Sequence, residues 1–172
     1  MNKKGLLHIY CGDGKGKTTA ALGLGLRAAG NGMNVLIIQF LKGTPTSELE
    51  TLKLIPNIKV IRCDRNYGFT FSMTEKDKAE ITECHNKMLE TAEKSNADLI
   101  ILDEFCAAYK CGLLDREKAE RLVLERSENT EMVLTGRQPH EKFTSAADYI
   151  SEIHAVKHPY TQGISARKGI EY

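Results

Sequence analysis

The sequence Tyr10-Cys-Gly-Asp-Gly-Lys-Gly-Lys-Thr-Thr-Ala20 decides how the rest of the chain is interpreted. It is rich in glycine and lies between an apolar run at residues 6–10 and a stretch of alanine and leucine with a helical pattern. Such a loop points backbone N–H groups into one concavity and begins a helix whose positive dipole end faces it, so a polyphosphate is the natural ligand. The order of strand, loop and helix therefore predicts a phosphate-binding loop, or P-loop.

Within this loop, Lys17 is predicted to reach the outer phosphates of a nucleotide, and the Thr18 hydroxyl is predicted to hold Mg²⁺. The strict pattern G-x-x-x-x-G-K-[ST] requires glycine at position 11, but this chain has Cys11 there and Gly12 one place later. The loop is therefore a variant P-loop. Asp13 is a weak candidate for a base that activates water or an acceptor hydroxyl.

Length and composition favour one domain spanning residues 1–172, because 172 residues with 41% hydrophobic content can bury a core. The 24 basic and 23 acidic residues leave a net charge of +1, so no overall field attracts nucleic acid or a membrane. No apolar stretch has the length of a membrane span, and no signal-peptide core follows the first residues. These observations predict a cytoplasmic protein.

The five cysteines include no CxxC pair, which predicts reduced thiols and not a disulfide framework. Cys84 and His85, together with the other cysteines, suggest a zinc site only weakly, because structural zinc sites have closely paired ligands. The favoured interpretation is that Cys84, His85, Met88 and Leu89 form the buried face of one helix.

Apolar runs alternate with helical patterns along the chain. Strands are predicted at residues 6–11, 35–41, 58–63, 98–104 and 131–135, with a partly exposed edge strand at 149–156. Helices are predicted at residues 17–29, 46–54 and 74–95, after Asp115 and after Pro139, and a loop and hairpin from residue 157. This alternation predicts an α/β fold: a doubly wound, mostly parallel sheet of the P-loop NTPase (RecA-like) type with helices on both faces.

The predicted strand at residues 98–104 ends in two adjacent carboxylates, Asp103 and Glu104. The Mg²⁺-facing strand of a P-loop protein ends in this way, and either carboxylate would bind the metal directly or through water. Ligands of open α/β sheets collect at the carboxyl ends of strands, where Gln39, Lys42 and Arg137 also lie. Arg137 either grips a phosphate or is held in a salt bridge, and Lys42 either lies near the P-loop or is solvated.

The loop at residues 64–71 contains Tyr67, Phe69 and Phe71 beside a glycine. Apolar aromatic groups in a surface loop need something to cover them, so the loop is either a binding platform or a segment whose phenylalanines fold back into the core. The residues alone leave both interpretations open.

The residues alone therefore predict binding of a Mg-nucleotide, but they do not choose among a P-loop ATPase, a small-molecule kinase and a non-catalytic nucleotide-binding module. A kinase needs a base near the acceptor hydroxyl, and an ATPase needs a group that positions water. No such group is evident from a motif. The predicted nucleotide-binding residues are Gly12, Asp13, Gly14, Lys15, Gly16, Lys17, Thr18, Thr19 and Arg137.

Several segments together, GDGKGKTTAALG, VLIIQFLKG, GFTF, DLIILDEF, VLTGR and KHPYTQGISARKGIEY, resemble the P-loop family of ATP:corrinoid adenosyltransferases. The similarity runs from about residue 6 to residue 172, and the one-residue departure in the P-loop is itself a feature of that family. The resemblance implies transfer of the 5′-deoxyadenosyl group of ATP to the Co(I) centre of a reduced corrinoid, with release of triphosphate, in adenosylcobalamin formation or salvage. Because Co(I) is a very strong nucleophile, such a reaction requires no general base.

By the same resemblance, Lys17, Phe69 and Phe71 are the catalytic residues: Lys17 is the main countercharge of the triphosphate, and the two aromatic rings face the corrinoid and displace its lower axial ligand. Thr18 with Glu104 and Asp103 would hold Mg²⁺, for which Mn²⁺ can substitute. A reductase would supply electrons to cobalt, and homodimers are usual. In some members the second aromatic residue is tryptophan, which this chain lacks. Only five residues precede the first strand, whereas some relatives have a longer N-terminal segment that covers the active site.

Overall fold

The computed structural model describes residues 4–68 and 70–171. Six strands form one sheet in the order β3-β2-β4-β5-β1-β6, and every neighbouring pair is parallel. The strands are β1 (Leu7–Cys11), β2 (Val35–Gln39), β3 (Ile58–Arg62), β4 (Leu99–Asp103), β5 (Glu131–Thr135) and β6 (Tyr149–Glu152). The helices are α1 (Lys17–Gly30), α2 (Glu48–Leu52), α3 (Glu75–Glu93), α4 (Phe105–Lys110), α5 (Arg116–Leu124) and α6 (Glu141–Ala146).

The central strands are apolar because helices cover both faces of the sheet. Every residue of β2 and β4 is buried. On one face, Ile37 packs with residues of α1 and α2, and on the other face its neighbour Ile38 packs with residues of α3, α4, α5 and α6. This arrangement confirms the predicted α/β fold.

The helix starts follow from capping side chains. Thr74 accepts a hydrogen bond from the backbone of Asp77, whose carboxylate in turn accepts from the Thr74 backbone, so α3 begins with a capping box. Asp115 caps α5 by accepting from the Lys118 N–H. Both helices were predicted from the sequence.

Two local predictions are wrong, and one helix was not predicted. The sequence predicts no helix directly after β4, yet α4 begins there at once, because Glu104 adopts a left-handed conformation (φ 57°) that turns the chain out of the strand. The predicted hairpin beyond residue 157 is absent from the described residues, which have a short 3₁₀ turn at Pro159–Gln162 instead. All four residues of β6 are exposed, as at a sheet edge, so the predicted alternation does not occur.

The prediction of reduced thiols is wrong for one pair of cysteines. Cys63, which follows β3, forms a disulfide with Cys84 of α3. Their Cα atoms are 6.2 Å apart, a separation that a disulfide spans. The pairing joins residues 21 positions apart on different elements, and no sequence spacing indicates it. Cys11, Cys106 and Cys111 are free thiols.

His85, Met88 and Leu89 are buried, as predicted for the inner face of α3, whereas Cys84 is only partly buried against the core. Throughout residues 4–68 and 70–171, every helix is too short or too polar to cross a membrane.

Candidate functional site

The P-loop and the first turn of α1 form the centre of the site, at the carboxyl end of β1. Gly16 precedes α1 and provides no side-chain cap, so the first N–H groups of this 14-residue helix have no partner within the helix. Those N–H groups and the positive end of the helix dipole face the loop, which suits a phosphate group. Lys17 folds back over the loop and donates from Nζ to the Gly14 carbonyl at 2.7 Å.

The loop packs closely against neighbouring chain segments, which explains its glycines. The Gly14 N–H donates to the Ile153 carbonyl at 2.7 Å, just after β6. A Cβ atom on Gly12 would lie 2.4 Å from that same carbonyl oxygen, and Gly12 also has φ 97°, a conformation that favours glycine. Gly12, the first glycine of this variant loop, therefore lies where the chain after β6 leaves no room for a side chain.

Asp13 holds the chain after β6 and does not face a reacting group. Its Oδ1 accepts the Ala155 N–H at 3.1 Å, and this hydrogen bond lowers the pKa of the carboxyl. A carboxyl group with a lowered pKa is a poor base, so the geometry gives no support to Asp13 as a catalytic base.

Asp103, at the end of β4, is fully buried and connects the P-loop helix to the sheet. Its Oδ1 accepts from the hydroxyls of Thr18 at 2.8 Å and Thr135 at 2.7 Å. Its Oδ2 accepts from Lys42 Nζ at 2.6 Å and from Gln39 Nε2 at 3.4 Å. The contact with Thr18 joins the two motifs that the sequence analysis singled out, and β4 reaches the loop because β5 alone separates it from β1.

Glu104 lies beside Asp103 and receives support from Thr135, whose hydroxyl accepts the Glu104 N–H at 2.9 Å. Burial is the main cause that raises the pKa of the Glu104 carboxyl, and the negative charge of Asp103 raises it further, while the cations Lys42, Lys17 and Arg137 act in the opposite direction. The Glu104 carboxyl makes no hydrogen bond or ion pair with any residue that the structure describes, so it is available to a ligand.

Arg137 follows β5 and is exposed. Its carbonyl accepts the Gly12 N–H at 3.2 Å, which fixes the backbone beside the P-loop. Among the described residues, the Arg137 guanidinium forms no salt bridge, so the alternative of a salt-bridged arginine has no support. Lys42, in contrast, is not a solvated lysine: its ammonium pairs with Asp103 inside the site.

The aromatic loop follows β3 and so lies at the same end of the sheet as the P-loop, where the strands have their carboxyl ends. Asn66 Nδ2 donates to Thr44 Oγ1 at 2.9 Å, which ties the loop to the segment after β2, and the Arg65 guanidinium lies 4.9 Å from the centre of the Tyr67 ring. Phe71 is 86% exposed, so it does not fold into the core. Phe69 lies outside the described residues, and its predicted role stays a prediction.

The side chains around Thr18 suit a hard cation such as Mg²⁺. Thr18, Asp103 and Glu104 offer only oxygen atoms, and an ammonium group already stands beside two of them in the position of a cation. No group of three His, Cys, Asp or Glu side chains within residues 4–68 and 70–171 is arranged to hold a metal. A cation bound with a nucleotide takes most of its ligands from phosphates and water, so two carboxylates and a hydroxyl are sufficient.

The parallel sheet, the P-loop before α1 and the contact between Thr18 and Asp103 define a P-loop nucleotide-binding protein. Within that class, residues 3–172 match the family described as ATP:corrinoid adenosyltransferase BtuR/CobO/CobP. The chain belongs to this family.

Individual relatives agree with this assignment. A corrinoid adenosyltransferase of Escherichia coli strain K12 is 33% identical over 175 residues, which cover 100% of this chain and 88% of the relative. The corrinoid adenosyltransferase CobA of Salmonella typhimurium is 32% identical, with 100% and 88% covered, and a Pseudomonas aeruginosa corrinoid adenosyltransferase is 31% identical, with 99% and 85% covered. The predicted activity, ATP-dependent adenosylation of a corrinoid, is thereby confirmed, and ATP and a corrinoid are the substrates.

Proposed function

We propose that the chain transfers the 5′-deoxyadenosyl group of ATP to the Co(I) centre of a reduced corrinoid and releases triphosphate, in adenosylcobalamin formation or salvage. The observation that carries this proposal is the hydrogen bond from Thr18 to the buried Asp103, which joins an uncapped helix start to a pair of carboxylates. This arrangement suits a triphosphate and its cation, while the exposed Phe71 marks a second surface for a large planar ligand.

In the proposed reaction, Co(I) attacks C5′ of ATP, a Co–C bond forms, and the C5′–O bond breaks. Its electron pair leaves with the triphosphate oxygen, so no proton is transferred. The hydrogen bonds of two carboxylates in the site support this chemistry. Asp103 accepts four hydrogen bonds, and Asp13 accepts one from the Ala155 N–H. Neither is arranged as a general base, as expected when the nucleophile is Co(I).

The tasks left to the protein are to hold the triphosphate and to stabilise the charge that it gains as it leaves. We assign the P-loop residues from Gly12 to Thr19 and the Lys17 ammonium to the triphosphate, and Arg137 to a phosphate oxygen at its edge. Thr18, Asp103 and Glu104 would hold Mg²⁺, or Mn²⁺ in its place. When bound there, the ion would neutralise negative charge on the leaving triphosphate.

We assign the aromatic loop to the corrinoid. Phe71 is 86% exposed and lies at the carboxyl end of the sheet, as the P-loop does, and an exposed apolar ring favours a planar ligand such as a corrin. Phe69 is assigned the same role from the family pattern alone.

Two partners stay predictions: a reductase that supplies electrons to cobalt, and a second copy of the chain in a homodimer. A cytoplasmic location also stays a prediction. The resemblance to the family supports the first two.

The test is a product assay with Mg-ATP and chemically reduced cobalamin. We expect adenosylcobalamin in the corrinoid spectrum and intact triphosphate among the phosphate products. ADP or free phosphate without adenosylation would indicate a kinase or an ATPase and refute the proposal, and binding without turnover would indicate a non-catalytic module.

Lys17→Ala tests the assignment within the site. Removing the main countercharge of the triphosphate should abolish transfer. The matched control is Lys59→Ala, because Lys59 is an exposed lysine on β3 and its loss should leave transfer unchanged. Near-normal turnover of Lys17→Ala would contradict the role given to Lys17.

A further inference from the structure

Lys42 stands where the site would hold its divalent cation. Its Nζ lies 2.6 Å from Asp103 Oδ2 and 3.4 Å from Thr18 Oγ1, so one ammonium contacts both side chains. The two Asp103 oxygens each accept two hydrogen bonds, one pair from Thr18 and Thr135 and the other from Lys42 and Gln39. A metal ion therefore reaches this carboxylate directly only if Lys42 leaves it.

The backbone around Lys42 is held in an unusual shape that aims the side chain inward. Leu41 has φ 58°, a left-handed conformation that is unfavourable for a non-glycine residue. Its N–H donates to Nε2 of the buried His85 at 3.3 Å, while the other ring nitrogen of His85 lies 2.9 Å from the Leu113 carbonyl. If Nδ1 carries the proton, both contacts are satisfied by a neutral imidazole.

Arg62 holds the other side of this turn. Its Nε donates to the Lys42 carbonyl at 3.2 Å, and its Nη2 donates to the Thr44 carbonyl at 2.5 Å. A solvated surface lysine needs no such support, and the Lys42 side chain is only 22% exposed. The fold therefore places this ammonium in the site through contacts from both α3 and β3.

The charges of Lys42 and Asp103 explain why an ammonium group lies in the site. Asp103 is buried, and a buried carboxylate without a positive partner is strongly destabilising, so some cation must stand beside it in every state of the protein. An ammonium and a divalent ion at the same carboxylate repel each other and compete for the same oxygen atoms. A triphosphate shifts this competition, because it adds ligands for the metal and negative charge that can receive the displaced lysine.

We propose that Lys42 is a resident cation of the metal site, which excludes divalent ions from the nucleotide-free protein and yields its place when the triphosphate arrives. This inference rests on the proposed function, because it needs the metal site assigned there. Lys42 is a positioning residue in this scheme: it sets the order in which metal and nucleotide bind.

Mn²⁺ binding to the nucleotide-free protein tests the proposal, with free Mn²⁺ measured by its electron paramagnetic resonance signal. A unit charge at this range shifts proton binding to a carboxylate by about 1–3 pKa units, so Lys42→Met should bind Mn²⁺ roughly tenfold to a thousandfold more tightly than the unmodified chain. The control Lys59→Met removes the same charge from the exposed face of β3 and should leave Mn²⁺ affinity unchanged. Measured against the same mixture of Mn²⁺ and triphosphate without protein, inorganic triphosphate should strengthen Mn²⁺ binding strongly in the unmodified chain and only slightly in Lys42→Met.

Equal Mn²⁺ affinity of Lys42→Met and the unmodified chain without nucleotide would overturn the proposal. If the methionine variant does not fold, Lys42→Gln, which keeps a polar group at the position, replaces it. Failure of the unmodified chain to bind Mn²⁺ even with ATP would refute the metal site and this inference with it. Normal binding with ATP but no gain in Lys42→Met would refute the role of Lys42 alone.

Discussion

Replacing Thr135 with valine tests whether the hydrogen bonds beneath the site hold its two carboxylates in place. Thr135 is fully buried at the end of β5 and uses one hydroxyl twice. It donates to Asp103 Oδ1 at 2.7 Å and accepts the Glu104 N–H at 2.9 Å. Valine has nearly the same shape but can make neither contact.

The expected loss of stability follows from these two contacts. A hydrogen bond to a charged group contributes about 1.5–3 kcal/mol, and a buried N–H left without a partner costs about 1–3 kcal/mol. Because one substitution removes both contacts and the effects overlap, we expect Thr135→Val to lower the free energy of unfolding by about 3 kcal/mol. Thr135→Ser is the matched control: it keeps the hydroxyl, loses one buried methyl group and should cost only about 1 kcal/mol.

Urea unfolding of both variants measures the stability difference, and transfer assays at varied Mg²⁺ concentration measure the effect on the site. If the network positions the carboxylates, Thr135→Val should need more Mg²⁺ for half-maximal transfer, whereas Thr135→Ser should resemble the unmodified chain. Equal stability and equal Mg²⁺ dependence of the two variants would refute the reasoning, because the hydroxyl would then contribute nothing that a methyl group does not.

Two further predictions concern Phe71 and His85. Phe71→Ala should slow transfer from cob(II)alamin with a reductase by about tenfold, equivalent to about 1.4 kcal/mol in the barrier, and slow transfer from preformed cob(I)alamin less. Equal losses in the two assays would contradict a role in displacing the axial ligand. Burial lowers the pKa of His85, so below about pH 6.5 the unfolded chain binds a proton that the folded chain does not. The free energy of unfolding should therefore decrease as the pH is lowered, by up to about 1.4 kcal/mol per pH unit. His85→Gln should weaken this dependence below about pH 6.5, and an unchanged pH profile of urea unfolding would count against it.

Much of the fold could be predicted because the strands differ so clearly from their surroundings. β2 and β4 each consist of four apolar residues followed by one polar residue, and the structure gives them as Val35–Gln39 and Leu99–Asp103, each two residues shorter than predicted. The start of α3 was evident from Thr74, since a capping side chain acts through nearby backbone. These features depend on neighbours in the sequence, which a single chain displays directly.

The features that were missed depend on contacts between distant segments. The disulfide between Cys63 and Cys84 requires the end of β3 to meet α3, and no pattern in either segment indicates that meeting. The ion pair between Lys42 and Asp103 requires β2 and β4 to be neighbours, and the sequence predicts a parallel sheet without its strand order. α4 was missed because it begins after Glu104, which has a left-handed conformation. Such a conformation is uncommon for a residue other than glycine, so the sequence does not indicate it.

The charges of the site explain why a P-loop suits attack at carbon. Transfer at the γ-phosphate needs a base or a positioned water, but Asp103 is fully engaged by hydrogen bonds and Asp13 holds the chain after β6. Glu104, the remaining carboxyl of the site, is the one that we assign to the metal ion. The positive charges of Lys17, Lys42 and Arg137 instead act to lower the pKa of Glu104, so the local field favours a group that gains negative charge as a whole. A triphosphate that departs from C5′ is such a group. We therefore propose that the same loop that in other proteins activates a phosphorus atom holds the leaving group here, and that the protein has only to place the nucleophile.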